Sequence, residues 1–153
     1  MGRIPLFALV LVVAAPALAR AEAPLVRERD GFTCRAGTEN WTAQQVIQER
    51  IAALVAGDMN RVMCTYAVDA VVIMPGTVIR GRPAIERGFI GFFQLFGGSV
   101  PIFDSMDFAN GVALVTFHIS GPVFSIPDGA DTYVIKNGRI QEHTVHDVLA
   151  PTP

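Results

Sequence analysis

The dipeptide Asn-Gly occurs twice in the last third of the chain, as Asn110-Gly111 and Asn137-Gly138, each time between two strand-like runs. Asn-Gly favours a two-residue type I′ turn, because both central residues of that turn need a positive φ. Such a turn determines which residues of the two strands lie opposite each other, and alternation then assigns each side chain to one face of the sheet. The sequence therefore predicts two tight antiparallel hairpins and the side chains that face the interior.

In the second hairpin, this register predicts Lys136 opposite Arg139 and Tyr133 opposite Glu142. The face with the larger apolar side chains is expected to point inward, and its members are Asp131, Tyr133, Ile135, Ile140, Glu142, Thr144, His146 and Val148. Ionisable groups on an apolar face have shifted pKa values, and such groups serve as acids and bases near neutral pH. Asp131, Glu142 and His146 are therefore the predicted catalytic residues, with a purely structural role as the alternative for each.

The first hairpin is interpreted in the same way. Its more apolar face is expected to point inward and consists of Ile102, Asp104, Met106, Phe108, Ala113, Val115, Phe117 and Ile119. The opposite face carries Phe103, Ser105, Asp107, Val112, Leu114, Thr116 and His118. Asp104 is the one charge on the predicted inner face, so it joins the predicted pocket residues.

Three helical patterns precede these hairpins. Thr42 and Gln45 form a capping-box pattern at the first helix, Asp58 caps a short second helix, and Pro83 lies in the first turn of the third. A short hairpin separates the second helix from the third. This order predicts an α+β fold in which a cone-shaped, curved antiparallel sheet packs against three helices and encloses an apolar pocket.

Composition limits the partners of this domain. The chain has 153 residues, of which 51% are hydrophobic, and its formal net charge is −2. That balance fits one globular domain and argues against a nucleic-acid partner or a charged membrane surface. The chain has no Gly-rich phosphate loop, and His143 and His146, three apart on a strand, face opposite ways. The sequence therefore predicts no bound cofactor and no metal.

The first residues have the pattern of a secretory signal peptide. Arg3 is followed by the apolar run 4–16, and small residues then offer cleavage after Ala19 or Ala21. An uncleaved anchor is the alternative, although the run is short for a membrane span. We expect residues 1–21 to be removed and the mature protein to be periplasmic or secreted, with no membrane segment.

Two cysteines, Cys34 and Cys64, are expected to form a disulfide in an oxidising compartment. The alternative is a pair of buried thiols. A loop of about 30 residues closed in this way stabilises a domain by roughly 3–4 kcal/mol in the chain-entropy description. The bond would attach an extended arm, residues 22–41, to the domain formed by residues 42–150.

Several segments of the chain resemble the nuclear-transport-factor-2-like superfamily, in its SnoaL-like and steroid delta-isomerase-like branch. These segments are Ala56-Gly57-Asp58, Tyr66-Ala67-Val68-Asp69-Ala70, Gly81-Arg82-Pro83-Ala84-Ile85, and Asp131 through Asn137-Gly138-Arg139-Ile140. The resemblance covers about Thr42 to Leu149. It implies the cone fold and a homodimer through the outer sheet face. It does not imply one activity, because the fold carries isomerases, dehydratases, cyclases, epoxide hydrolases and non-catalytic binders.

In the steroid isomerases of this superfamily, an aspartate moves a proton while a tyrosine and a protonated aspartate donate hydrogen bonds to the oxyanion, a system that is a worked example of pKa tuning. The matching positions here are Met74, Arg50 and Asp131. Only the third position keeps its residue, and Met74 cannot take a proton. Steroid isomerisation by the family mechanism is therefore not expected.

The sequence leaves three functions open. The first is an exported domain that binds a small apolar molecule without a known reaction. The second is an isomerase, lyase or cyclase in which His146 or Glu142 is the base and Asp131 donates a hydrogen bond to an oxyanion. The third is a homodimeric accessory module. The predicted pocket residues are Arg50, Tyr66, Met74, Phe89, Phe93, Asp104, Phe117, Tyr133 and Thr144.

Overall fold

The computed structural model describes residues 23–152. The predicted signal peptide and its cleavage sites lie outside this range and stay predictions. The helices are α1 (Ala43–Val55), α2 (Met59–Cys64) and α3 (Arg82–Leu95). The strands are β1 (Leu25–Arg27), β2 (Thr33–Arg35), β3 (Tyr66–Met74), β4 (Thr77–Arg80), β5 (Ile102–Ala109), β6 (Val112–Ser120), β7 (Phe124–Lys136), β8 (Arg139–His146) and β9 (Ala150–Pro151).

The helices begin where the sequence predicts. At α1 the Thr42 hydroxyl accepts a hydrogen bond from the Gln45 amide (3.2 Å), and the Gln45 side chain accepts one from the Thr42 amide (2.9 Å). At α2 the Asp58 carboxylate accepts a hydrogen bond from the Arg61 amide at 3.0 Å. These contacts satisfy amides that have no partner within the first turn of a helix.

The main sheet has seven strands in the order β4-β3-β8-β7-β6-β5, with β9 paired to β7. The β3–β8 pair is parallel and the other pairs are antiparallel. The helices contribute buried side chains such as Ile47 and Ile85 to a core that continues onto the sheet through Val115 and Ile140. The predicted α+β fold is confirmed.

Both Asn-Gly pairs form the tight turns that the sequence predicts. Asn110 and Gly111 have φ values of 49° and 79°, and Asn137 and Gly138 have φ values of 51° and 63°. The residues that flank the second turn, Lys136 and Arg139, are paired. Positive φ at both central positions is the requirement that makes Asn-Gly common in such turns.

A β-bulge in β8 changes the predicted faces beyond the second turn. Ile135 pairs with Ile140 as expected, but Val134 then pairs with Glu142, so Gln141 is an extra residue on β8. An extra residue reverses the facing of every side chain after it. The inward orientation predicted for Glu142, Thr144 and His146 is therefore wrong, since these three side chains are exposed. His143 faces inward in their place and is buried.

A second bulge, in β5, changes the faces on which two predicted residues lie. Phe103 pairs with Phe117 and Ser105 with Thr116, so Asp104 is the extra residue. Asp104 was expected in the pocket, but it is half-exposed and lies 3.0 Å from Nδ1 of His118. Phe103, expected on the outer face, packs against the core. The outer face still exposes Leu114, and the homodimer through it stays a prediction.

The segment before α1 is attached to the domain by a disulfide, by ion pairs of Glu28 and Asp30, and by hydrogen bonds between Thr33 and Asn60. Cys34 on β2 and Cys64 on α2 form the predicted disulfide, with a Cα–Cα distance of 5.3 Å. Arg82 at the start of α3 is fully buried and forms ion pairs with Glu28 and Asp30, each at 2.6 Å. No helix within residues 23–152 is both long and apolar enough to cross a membrane.

Candidate functional site

A cavity of about 120 Å³ opens between α1, α3 and the inner face of the sheet. Most of its wall is apolar, and a cavity of comparable size, about 150 Å³, holds a molecule as large as benzene. The lining residues are Arg50, Leu54, Val72, Met74, Ile79, Ile85, Gly88, Phe89, Phe92, Phe93, Pro101, Phe103, Phe117, Asp131, His143, Val145 and Asp147. An apolar cavity with a few polar groups is the usual form of a small-molecule site.

The polar groups of this wall belong to one buried network. Arg50 Nε donates a hydrogen bond to the Tyr66 hydroxyl at 3.3 Å, and that hydroxyl lies 3.0 Å from Nδ1 of His143. The Tyr133 hydroxyl donates to Oδ2 of Asp131 at 2.7 Å. Nε2 of His143 lies 3.2 Å from the same oxygen. Polar contacts thus connect side chains from α1, β3, β7 and β8 in one buried network.

Burial and charge set the protonation states of Asp131 and His143. Burial raises the pKa of Asp131, but the nearby His143, the charge of Arg50 and the hydrogen bond from Tyr133 outweigh it, so the pKa is lowered from 3.8. Burial lowers the pKa of His143 below 6.5, and this outweighs the opposite effect of Asp131. At neutral pH, Asp131 is therefore a carboxylate and His143 is a neutral imidazole.

These states assign the hydrogen atoms of the network. An ionised Asp131 favours the His143 tautomer that carries its hydrogen on Nε2, the nitrogen that faces the carboxylate. Nδ1 then accepts the hydrogen bond of the Tyr66 hydroxyl. The predicted role of Asp131 as a protonated donor does not agree with its lowered pKa, because a carboxylate can only accept hydrogen bonds.

Two buried polar atoms of the pocket have no hydrogen-bond partner among residues 23–152. They are Oδ1 of Asp131 and Nε2 of His143. The 3.2 Å contact of Nε2 with Asp131 lacks the alignment of a hydrogen bond, although the charges are close enough to interact. Unpaired buried polar atoms are costly, and those that persist often have a functional reason. One acceptor and one donor are thus left for a ligand.

The structure brings together most of the predicted pocket residues. Arg50, Met74, Phe89, Phe93, Phe117 and Asp131 line the cavity. Tyr66 and Tyr133 lie directly behind the wall, where they bond to His143 and Asp131. Asp104, Glu142, Thr144 and His146 lie away from the cavity, for the register reasons given above. The catalytic roles proposed for these residues are not tested by their positions.

His143 is the functional residue that sequence reasoning missed. A simple two-residue turn with unbroken alternation places it on the outer face, beside Gln141. The bulge at Gln141 turns it inward, where its ring stacks on Tyr133 with centroids 4.3 Å apart. Gln141 donates hydrogen bonds to the carbonyls of Lys136 and Arg139, so its side chain closes over the turn. No local motif in the sequence predicts this bulge.

Within the residues that the structure describes, no group of three or more His, Cys, Asp or Glu side chains is arranged to hold an ion. The polar network instead combines two phenols, an imidazole, a carboxylate and a guanidinium.

Acid should destabilise the protein in two steps. The folded pKa of His143 is below 6.5, so the unfolded chain binds the proton more readily and stability falls as pH drops below about 6.5. The lowered pKa of Asp131 adds a further loss below about 3.8. We expect His143→Gln to remove the first step, measured by urea unfolding at a series of pH values. His146→Gln, a change on the outer face, should keep it, and an identical first step in both variants would contradict the assignment.

The sequence model of the SnoaL-like domain matches residues 47–143, which is more than half of the chain. The chain belongs to the SnoaL-like domain family. The matched segment of this SnoaL-like protein includes Arg50, Asp131 and His143, so the whole buried network lies inside it. No curated protein is similar enough in sequence to be matched.

Solved structures share the fold of this SnoaL-like protein. A candidate polyketide cyclase from Sinorhizobium meliloti has a TM-score of 0.60 and 24% identity, over 66% of this chain and 93% of its own. A nuclear-transport-factor-2-like protein of unknown function from Burkholderia xenovorans has a TM-score of 0.60 and 17% identity, over 72% and 86%. TerC, co-crystallised with polyporic acid, has a TM-score of 0.60 and 13% identity, over 69% and 90%. These structures confirm the predicted fold, and the match of the SnoaL-like domain model confirms the predicted family.

Proposed function

We propose that this SnoaL-like protein is a cofactor-independent enzyme that moves a proton on a small, mostly apolar carbonyl compound. The observation that carries the proposal is the pair of unpartnered polar atoms in the apolar pocket, Oδ1 of Asp131 and Nε2 of His143. One is an acceptor on an ionised group and the other is a donor on a neutral ring. Enolisation of a carbonyl compound needs both of these next to one another.

The proposed steps use only residues of this chain. Oδ1 of Asp131 takes the proton from the carbon next to the carbonyl, while the Nε2–H of His143 donates a hydrogen bond to the carbonyl oxygen. The C–H electron pair moves into the new C=C bond and the carbonyl pair onto oxygen. Asp131 then returns its proton to a different carbon of the enolate, which completes an isomerisation. In a cyclisation the enolate carbon instead bonds to a second carbonyl carbon of the same molecule, the electron pair of that C=O bond moves onto its oxygen, and this oxygen takes the proton from Asp131.

The arrangement behind Asp131 supports its role as the base. Tyr133 and His143 approach its Oδ2 and leave its Oδ1 unpaired. The hydroxyl of Tyr66 fixes the ring of His143 from the other side. A base that is held by such contacts needs little reorganisation during the reaction. The solved neighbour described as a candidate polyketide cyclase has this fold, and cyclisation belongs to the same class of chemistry.

Binding without reaction is the second candidate function. It is favoured by the mostly apolar wall and by Met74, which occupies the position of the proton-shuttling aspartate of the steroid isomerases and lines the cavity here. A non-catalytic pocket would bind one-ring compounds and leave their hydrogen atoms unexchanged. The two functions therefore differ in a directly measurable property.

Hydrogen exchange at the ligand distinguishes catalysis from binding without reaction. Cyclohexanone and acetophenone are incubated with the protein in heavy water, and deuterium at the carbons next to the carbonyl is followed by NMR. The enzyme proposal predicts exchange well above the rate in buffer or with an unrelated protein of equal concentration. Ligand-dependent shifts of protein resonances without any faster exchange would contradict catalysis and support the binding function.

We also propose that the protein works outside the cytoplasm. The disulfide between Cys34 and Cys64 supports this location, because disulfides persist mainly in oxidising compartments. The signal-like pattern of residues 1–21 is the second support.

A further inference from the structure

Arg50 is a buried cation in the wall of the pocket. It lies on α1 with 4% of its surface exposed, and its guanidinium faces three aromatic rings. The guanidinium carbon is 5.0 Å from the ring centre of Tyr133, 5.2 Å from that of Phe89 and 6.0 Å from that of Tyr66. Such cation–π contacts hold the group in place and recover part of the lost hydration.

The guanidinium has unused hydrogen-bonding capacity. Among residues 23–152, its one hydrogen-bond partner is the Tyr66 hydroxyl, which accepts from Nε. No carboxylate of the described residues is close enough to form an ion pair with Arg50. An arginine carries five N–H groups, so the two terminal nitrogens keep four donors without a partner. A buried charge without a direct counter-ion is expensive to maintain.

Arg82 is the second buried arginine among residues 23–152, and it shows which partners a buried guanidinium normally has. Arg82 is also stacked on a ring, that of Phe32, yet it binds Asp30 and Glu28 in addition. Arg82 does not line the pocket, whereas Arg50 does. The difference between the two sites is therefore that Arg50 has no carboxylate in direct contact, and Asp131 interacts with its charge without forming an ion pair.

We propose that Arg50 binds a carboxylate group of the ligand, and that the pocket takes a one-ring carboxylic acid in its anionic form. This inference rests on the proposed function only because both use the same pocket, and it does not depend on the proposed reaction. A planar guanidinium matches a carboxylate with two parallel hydrogen bonds, which lysine cannot reproduce. The apolar wall from α3 then surrounds the ring, and the cavity volume of about 120 Å³ limits the ligand to about that size.

The acids of the pocket determine how the ligand is oriented. Asp131 and Asp147 both contribute to the wall of the pocket, and both repel an anion. Asp131 lies on β7, and Asp147 follows the last residue of β8. Arg50 lies on the opposite layer, on α1. The carboxylate of the ligand is therefore held on the helix side of the network by Arg50, which is separated from His143 only by the Tyr66 hydroxyl, and the carbonyl group of the ligand lies near it, at Asp131 and His143. Combined with the proposed reaction, this orientation describes a cyclic keto acid.

Binding of matched probes tests the charge requirement without any turnover. Benzoate and benzamide have the same shape and differ in charge, and their affinities for the wild-type protein are measured by calorimetry or NMR titration. We expect benzoate to bind at least about tenfold more tightly than benzamide. Equal affinities, tighter binding of benzamide, or binding of neither probe in the millimolar range would overturn the proposal.

Variants of Arg50 test whether this side chain causes the preference for benzoate over benzamide. Arg50→Met removes the charge with a similar volume and should abolish the preference for benzoate, whereas Arg50→Lys should keep a reduced preference. Arg80→Met, a change at an exposed arginine, is the control that should leave both affinities unchanged. If Arg50→Met does not fold, Arg50→Lys decides, because an undiminished preference there would contradict a guanidinium site. Absence of hydrogen exchange with ketones would affect only the proposed reaction.

Discussion

Replacing Asp131 with Asn is expected to reduce the proposed proton-transfer rate by about 10²- to 10⁴-fold, the usual contribution of a positioned general base. The amide keeps an oxygen that can accept the hydrogen bond of Tyr133, so the change removes the charge and the basicity and little else. The rate is measured as deuterium uptake by the ketone probes in heavy water. Binding of the probes should change far less than the rate.

The matched controls for this prediction lie on β8, the strand that pairs with β7 in the same hairpin. Glu142→Gln and His146→Asn alter exposed side chains of β8 that simple alternation places next to Asp131. Both should retain the wild-type rate. A large loss of activity in either control, together with normal activity in Asp131→Asn, would show that the outer face carries the chemistry and that the inner network is structural.

Replacing Arg82 with Met is expected to lower the free energy of unfolding by roughly 3–5 kcal/mol, the usual cost of removing one partner from a buried ion pair. The Arg82 side chain is completely buried, and it binds Asp30, which is 10% exposed, and Glu28, which is 25% exposed. Met fills a similar volume, so the loss comes mainly from Asp30, which remains without a cation, whereas Glu28 keeps its ion pair with Arg139 at 3.1 Å. The measurement is urea unfolding followed by circular dichroism.

Arg80→Met is the control for stability, because Arg80 is exposed and lies two residues before Arg82. It should change the free energy of unfolding by less than about 0.5 kcal/mol. If Arg82→Met were as stable as the control, the attachment of residues 28–30 to α3 would have no energetic role. The disulfide would then be the main link between this segment and the domain.

Local signals in the sequence were sufficient for the elements of the fold. The capping box at Thr42 and Gln45 and the glycines of the two Asn-Gly turns act over two to four residues, and the structure contains each of them. The apolar spacing of the helices predicts which face is buried. The family resemblance adds the α+β fold with its curved sheet, and the structure confirms it.

The faces of β5 and β8 could not be predicted in the same way. Each contains one extra residue, Asp104 and Gln141, and a single bulge reverses every side chain that lies beyond it, counted from the turn. The position of a bulge depends on how the strand packs against its neighbours, and β8 has β3 on one side and β7 on the other. This is why simple alternation favours His146 over His143 as the inward-facing histidine.

The sequence by itself determined the helices, the tight turns, the disulfide partners and the presence of Asp131 on an inner face, because each of these depends on short-range geometry or on residue chemistry. The tertiary structure alone decided which groups meet Asp131. The contact between Tyr66 and His143 joins residues 77 positions apart, and Arg50 reaches it from a helix on the other layer. Contacts at such distances arise from packing, which local patterns do not encode.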